Sequence, residues 1–440
     1  MEDYMQKTLL CFLMVVVIAS FAFAGGKQEP AAKEKAAPME EKKVEKVELR
    51  YMMWDPQIIE KEQALADEFT RQNPNVTVSV EGVAYGQFWE KMQAMAAARN
   101  MPDVFWMSSG FVKDYAAMGA ILNLEPYVAK IDQSKFFSNA FNVLRAPNFE
   151  GDMYAFPWAV VTCISYYNKR IFDEAGVPYP TQDWTWDEMR DLAIKLSKDT
   201  DGDGAYDQWG YWVKGRYTHM YPFAYNNGSQ PVDDNFNEFL LNEGPGKDAM
   251  EFLTNLIVKD KVSPTPAQTK GISKPFTTGK IAMAEEGSWR IDSYRSGLED
   301  EFGITLTPLG PDSGGKHVVF GWADAMSISA FTDHPEEAFE WLLFMSGPGR
   351  PTDSMLGGKV PAWKANAYSD VWLEKDLLPE NKQLVLDSID LIGPKVTLPP
   401  RFDEWNSQVQ SDFDKMALGE GDFDTVMAEL QAKVEKILAR

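Results

Sequence analysis

The sequence predicts an α/β protein of two lobes, each built on a mainly parallel sheet flanked by helices, and three observations carry that reading. A chain of 440 residues is too long for one ordinary core. Its apolar content of 45% and charged content of 25% are those of a globular protein, neither disordered nor membrane-embedded. Residues 47–107 then run strand, helix, strand, helix, strand, an order that implies parallel strands with helices on both faces.

Val47, Leu49, Tyr51 and Met53 alternate with Glu48, Arg50 and Met52, which is the period of a strand. It ends at Trp54-Asp55-Pro56, and a helix follows through Ile58, Leu65 and Phe69 to about Gln72. Asn73-Pro74-Asn75 stops that helix, and Val76, Val78 and Val80 alternate as a second strand. Another helix is expected near Gln87 to Arg99, and Asp103 to Met107 is a short apolar third strand. Ligands of such sheets bind beyond the carboxyl ends of strands, where Trp54-Asp55 and Trp106 to Ser109 lie. A second block spans about 160 to 310 and ends in a Pro/Gly crossover after Ile304. Phe320 to Phe331 reads as a strand with a turn, and Glu336 to Met345 as a helix. The last helical region runs from about Trp405 to Leu438, broken at Gly419. No internal repeat is visible.

The amino-terminal segment has the layout of an export signal. Lys7 precedes an apolar run from Leu9 to Phe21, and Ala22-Phe23-Ala24 offers small residues where a signal peptidase reads. Cleavage is expected before Gly25, making 1–24 a signal peptide; Met1 or Met5 can serve as its start, the second giving a cleaner basic end. A membrane anchor is the other reading, but a run of about 13 residues falls short of the roughly 20 that a spanning helix needs. A lipoprotein would carry Cys at the cleavage point; Gly25 stands there and Cys11 lies inside the apolar run. Residues 25–46 mix Lys, Glu, Ala and Pro and are expected to be a flexible linker. Cys163 is then the one cysteine left, so no internal disulfide is expected.

A formal charge of -23 argues against nucleic acid as a partner and against docking on anionic lipid. The histidines at 219, 317 and 334 have no metal-ligand spacing, and no nucleophile-elbow or phosphate-loop pattern occurs.

Four segments together carry a resemblance: Pro157 to Leu192 with Tyr166-Tyr167-Asn168-Lys169 and Thr185-Trp186-Asp187-Glu188, then Gly279 to Met283 leading into Glu286-Gly287-Ser288-Trp289. Gly321-Trp322 followed by Asp333 to Met345, and Trp405 ahead of an amphipathic tail, complete the set. In order and spacing the chain resembles the family 1 extracellular solute-binding proteins, the sugar-binding subunits of ATP-binding-cassette importers related to maltose-binding protein, over essentially all of 47–440. The resemblance implies the two-lobed type II periplasmic-binding-protein fold with a hinge. Lobe one would take 47–157 and 315–347, and lobe two 158–314 and 348–440. It further implies a periplasmic, monomeric binder that closes on a carbohydrate, needs no cofactor, and delivers its ligand to a membrane permease. It implies no catalysis. A secreted glycoside hydrolase or a sugar sensor presenting ligand to a receptor are the alternatives.

Site residues follow from the same resemblance. Trp106, Trp289 and Trp405 match stacking tryptophans, whose flat faces suit the C–H patches of a sugar ring. Trp54, Asp55 and Gln57 match a first strand-end loop with polar contacts, and Trp158, Glu286, Trp322 and Asp324 match cleft-facing turns. Ser108 and Ser109 stand where some relatives carry charge, so maltose is not the inherited ligand. Arg401 is expected to meet an acidic sugar or to form a surface ion pair. Tyr167-Asn168-Lys169, the Thr185–Glu188 capping box and His334-Pro335 are structural. Finally, Asp199, Asp201, Asp203 and Asp207, with Gly204 at position 6, copy the first part of a calcium loop, while position 12 is Gly210 rather than Glu. A structural calcium or a plain Asp/Gly turn are the two readings.

Overall fold

The computed structural model describes residues 46–146, 151–270, 274–350, 358–393 and 399–440. The export signal and linker expected over 1–45 lie outside them, Lys46 apart.

Strand β1 (Val47–Met53), helix α1 (Ile59–Gln72), strand β2 (Val76–Gly82), helix α2 (Tyr85–Ala97) and strand β3 (Val104–Ser108) follow the sequence pattern closely. β1 pairs in parallel with β2 and β3, from Val47 opposite Val76 and Tyr51 opposite Val104. Helix α3 (Ser109–Ala117) leads away from β3, and strand β4 (Phe156–Asn168) is buried at all 13 positions. Helix α4 (Trp186–Leu196) starts at the expected capping box: the Thr185 side chain accepts from the Glu188 N–H, and the Glu188 carboxylate accepts from the Thr185 N–H. Strand β5 (Trp209–Trp212), helix α5 (Tyr217–Tyr225), helix α6 (Gly244–Val258), strand β6 (Ile281–Gly287) and strand β7 (Phe302–Thr305) make the second block. The chain then returns as strand β8 (Gly321–Ile328), helix α7 (Pro335–Ser346) and strand β9 (Val360–Pro361). It ends in helices α8 (Phe402–Ala417) and α9 (Phe423–Leu438). Gly419 and Gly421 at φ 72° and 113° turn the chain between those two helices, a backbone that L side chains avoid.

The strands form one mixed sheet, ordered β2-β1-β3-β8-β4-β6-β5, with β7 and β9 also paired to β4. Among the described strands, parallel pairing is confined to β1 with β2 and β3, and to β5 with β6. The strands between those groups run antiparallel, because β8 arrives as a return crossover and not as another β-α-β step. β4 changes partners along its length. Phe156 to Thr162 pair with β8, and Cys163 to Tyr167 pair with β6. Its full burial erases the alternation that a half-exposed strand shows.

Candidate functional site

Strand ends of both halves of the sheet meet around a cleft of about 450 Å³. From the first half it is lined by Trp54, Asp55 and Gln57 after β1, Tyr85 at the start of α2, Ser108 at the end of β3, Trp322 and Asp324 on β8, and Lys359. From the second half come Arg216 and Tyr217 at the start of α5, Lys274, and Trp289, Arg290, Asp292 and Ser293 after β6.

Aromatic packing builds the floor. Trp54 stands edge-on to Trp106 with ring centres 5.0 Å apart, and Trp106 lies 4.6 Å from Trp158. Trp106 and Trp158 are fully buried beneath the cleft. Lys359 sits among these indoles, its Nζ 5.0 Å from the Trp106 ring and 4.9 Å from the Trp158 ring. The same ammonium is 2.9 Å from Asp324 Oδ2 and 3.6 Å from Asp55 Oδ2. Desolvated on a wall of rings, it holds two carboxylates at the strand ends in fixed places.

Of the indoles that line the cleft, Trp289 is half-buried, and its ring centre is 5.3 Å from that of the buried Trp322. Trp289 lies flat on Gly287: a β-carbon there would fall 1.8 Å from its ring. The ring can occupy that place only because residue 287 has no side chain. Trp322 is anchored by donating its Nε1–H to Asp324 Oδ1 at 3.2 Å.

Glu286 and Glu285 project from opposite faces of β6, as successive strand residues must. Glu286 is buried, accepts the Thr218 hydroxyl at 3.2 Å, and has Arg290 Nε, His219 Nε2 and Arg216 Nη1 at 3.4, 3.6 and 3.7 Å. Burial alone would raise its pKa; Arg216, His219 and Arg290 outweigh that and hold it well below the carboxylate range. Burial pushes His219 down, so its imidazole is neutral at pH 7. Glu285 accepts from Ser165 Oγ at 2.6 Å and Thr307 Oγ1 at 2.8 Å, and burial pushes its pKa up to about 8.

Because Glu285 holds its proton more tightly when folded, the stability it contributes is whole below its ordinary 4.5 and falls as the pH rises through about 8. Glu285→Gln is therefore expected to flatten the loss of stability with pH and to gain on the order of 2–3 kcal/mol over the parent near the upper end. Urea denaturation across that pH range measures it; parallel curves for the two proteins would refute it.

Of the sequence-predicted residues, the cleft brings together Trp54, Asp55, Gln57, Ser108, Trp289, Trp322 and Asp324, with Glu286 directly behind it. Trp106, Trp158 and Ser109 are buried off the lining. Trp405 is elsewhere: it is fully buried on α8, stacked on Tyr221 at 6.1 Å and edge-on to Phe402 at 5.4 Å. The Arg401 guanidinium also lies outside the lining, 3.4 Å from the Ile437 carbonyl and 3.9 Å from Glu404, while the backbone N–H of Arg401 donates to Asp114. Sequence reasoning missed Arg216, Arg290 and Lys359, which come from three distant segments; Arg290 directly after Gly287-Ser288-Trp289 was the one local signal.

In the Asp loop, carboxylate oxygens of Asp199, Asp201 and Asp203 come within 4.8 Å of one another, so three ligands for a hard cation converge. Asp207 is turned away: its carboxylate accepts from the Thr200 N–H at 2.8 Å and from the Thr200 hydroxyl. Gly210 is committed to β5. Asp199 accepts from the N–H groups of Gly202 and Gly204 at 2.6 and 2.9 Å, bonds that shape the turn by themselves.

The model of the family described as bacterial extracellular solute-binding protein matches residues 55–349. The galactooligosaccharide-binding protein of Bacillus subtilis is 23% identical over 95% of this chain and 94% of its own length. The mannitol-binding protein of Pseudomonas aeruginosa is 23% identical over 66% of this chain and 70% of its own. Among solved structures, an ABC substrate-binding protein from Listeria monocytogenes in complex with cycloalternan superposes with a TM-score of 0.78 at 23% identity, covering 90% of this chain and 100% of that one. The maltose/maltodextrin-binding domain from Bdellovibrio bacteriovorus bound to maltotriose gives 0.71 at 20% identity, over 89% and 100%.

Proposed function

The chain belongs to the bacterial extracellular solute-binding proteins and has their two-lobed type II fold, and from that premise we propose that it captures a sugar or oligosaccharide in the cleft and passes it to the permease of an ABC importer. The observation that carries the sugar is the pairing of two cleft-lining indoles, the half-buried Trp289 against the buried Trp322, with fixed carboxylates at Asp55 and Asp324. Apolar ring faces and a rim of charged hydrogen-bonding groups are what a polyol with C–H patches requires.

The exchange of β8 for β6 along β4, between Thr162 and Cys163, supports a lobe boundary within that strand. Closure by bending there brings the two walls onto the ligand, and the transporter distinguishes the closed form from the open one. Among the described residues no helix is long and apolar enough to cross a membrane. With the cleavable leader read over 1–24, that supports a protein released into the periplasm.

Binding is favoured over hydrolysis by the carboxylates themselves. Asp55 and Asp324 are both tied to Lys359, Glu286 is held ionised by arginines, and Glu285 faces away from the cleft. Among these four carboxylates no two stand as one proton donor and one free base across a bond.

A panel of mono- and oligosaccharides tested by thermal shift should give ligand-dependent stabilisation with no accumulation of reducing ends. Trp289→Ala should weaken the best ligand by more than about 2 kcal/mol, roughly 30-fold, with the fold retained. A shift with no saccharide but with other solutes would reject the sugar, and steady release of product would reject the binder.

A further inference from the structure

Arg216 and Arg290 reach the cleft from separate segments and share a single carboxylate. Both approach the same oxygen, Glu286 Oε2, at 3.7 and 3.4 Å, while Oε1 accepts the Thr218 hydroxyl. His219, the third group on Oε2, is neutral at pH 7 and adds no charge. Asp292 on the same wall is 3.4 Å from Arg295 Nη1, and Lys274 adds a further cation at the rim. Around Glu286 itself, two permanent positive charges therefore meet one negative charge.

The opposite wall differs. Asp55 and Asp324 face the buried Lys359 ammonium, and their other oxygens accept from Gln57 Nε2 at 3.4 Å and Trp322 Nε1 at 3.2 Å. Those carboxylates are engaged, whereas 30% and 22% of the Arg216 and Arg290 side chains remain exposed. Closing the cleft strips water from both guanidinium groups, which is unfavourable around one carboxylate unless a second anion arrives. A guanidinium fork matches a carboxylate or phosphate with two parallel, charge-assisted hydrogen bonds, and neutral sugar hydroxyls supply no charge to balance the second arginine.

Resting on the saccharide reading above, we propose that the ligand is an acidic saccharide whose carboxylate or phosphate group docks between Arg216 and Arg290 while its ring lies on Trp289. Neutral hydroxyls at its other end meet the Asp55–Lys359–Asp324 cluster.

Calorimetry on the full mature chain tests this, with oligogalacturonides, alginate oligomers and glucose 6-phosphate set against neutral galacto-, manno- and gluco-oligosaccharides. An acidic member should bind at least about tenfold more tightly than its neutral counterpart, and added salt should erode that preference. Tightest binding by a uronate or by the sugar phosphate identifies the anionic group. Arg290→Gln should abolish the preference, and Arg290→Lys, which keeps the charge and loses the fork, should retain part of it and its salt dependence. Neutral saccharides binding as tightly as acidic ones, or a preference unchanged in Arg290→Gln, would overturn the proposal and leave the saccharide reading intact. Absence of binding by every saccharide would remove the saccharide reading itself.

Discussion

Trp405→Ala is expected to lower the stability of the folded chain by about 3–5 kcal/mol, the range for deleting a fully buried large aromatic. The indole is inaccessible, stacks on Tyr221 and meets Phe402 edge-on. It also lies one residue before Asn406, which accepts the Tyr221 hydroxyl at 2.9 Å, so the cavity opens beside a buried hydrogen bond. Urea denaturation followed by circular dichroism reads the loss. Ligand affinity of the remaining folded protein should change by less than about threefold, since Trp405 does not line the cleft. A large loss of affinity at unchanged stability would return Trp405 to the site.

Glu286→Gln should cost about 3 kcal/mol, near the lower end of what breaking a buried ion pair costs, because Arg216 and Arg290 keep partial access to water. The variant leaves two guanidinium groups without their shared anion. It also removes a pH dependence. A carboxylate held below its ordinary 4.5 contributes stability that is present above that value and lost as the pH falls beneath it. The parent should therefore lose stability on acidification more steeply than Glu286→Gln, and the two curves should converge at low pH. Parallel curves would mean that Glu286 is not the anion both arginines depend on.

The contrast between these residues explains how much the sequence could tell. The opening β-α-β-α-β was legible because β1 and β2 alternate buried and exposed positions, leaving the period in plain view. Of β4 only the end was legible, at Tyr167-Asn168-Lys169 where a helix takes over; burial on both faces removes the period elsewhere, and with it the exchange of partners. At the site, Trp54, Trp289 and Trp322 were legible as tryptophans at strand ends and turns. Trp405 was misplaced, although Phe402, Trp405, Val409, Phe413 and Met416 trace one face of a helix and pointed to a core role. Lys359 and Arg216 were invisible because a charged residue in a loop looks solvated until the fold brings rings and carboxylates around it.

The position of β8 bears on how the molecule comes into being. It lies between β3 and β4 in the sheet yet follows β3 by roughly two hundred residues in the chain. At about 5–20 residues per second, a ribosome emits β8 some 10–40 s after β3. Throughout that interval the sheet lacks its central strand: β3 has no partner on its β8 side, and neither has the Phe156–Thr162 part of β4 once it is made. Such long-range closure slows folding, because loop entropy must be overcome before the contacts form. Until Gly321–Ile328 have been made, a nascent chain of this topology cannot close its sheet, however early its first strands and helices form.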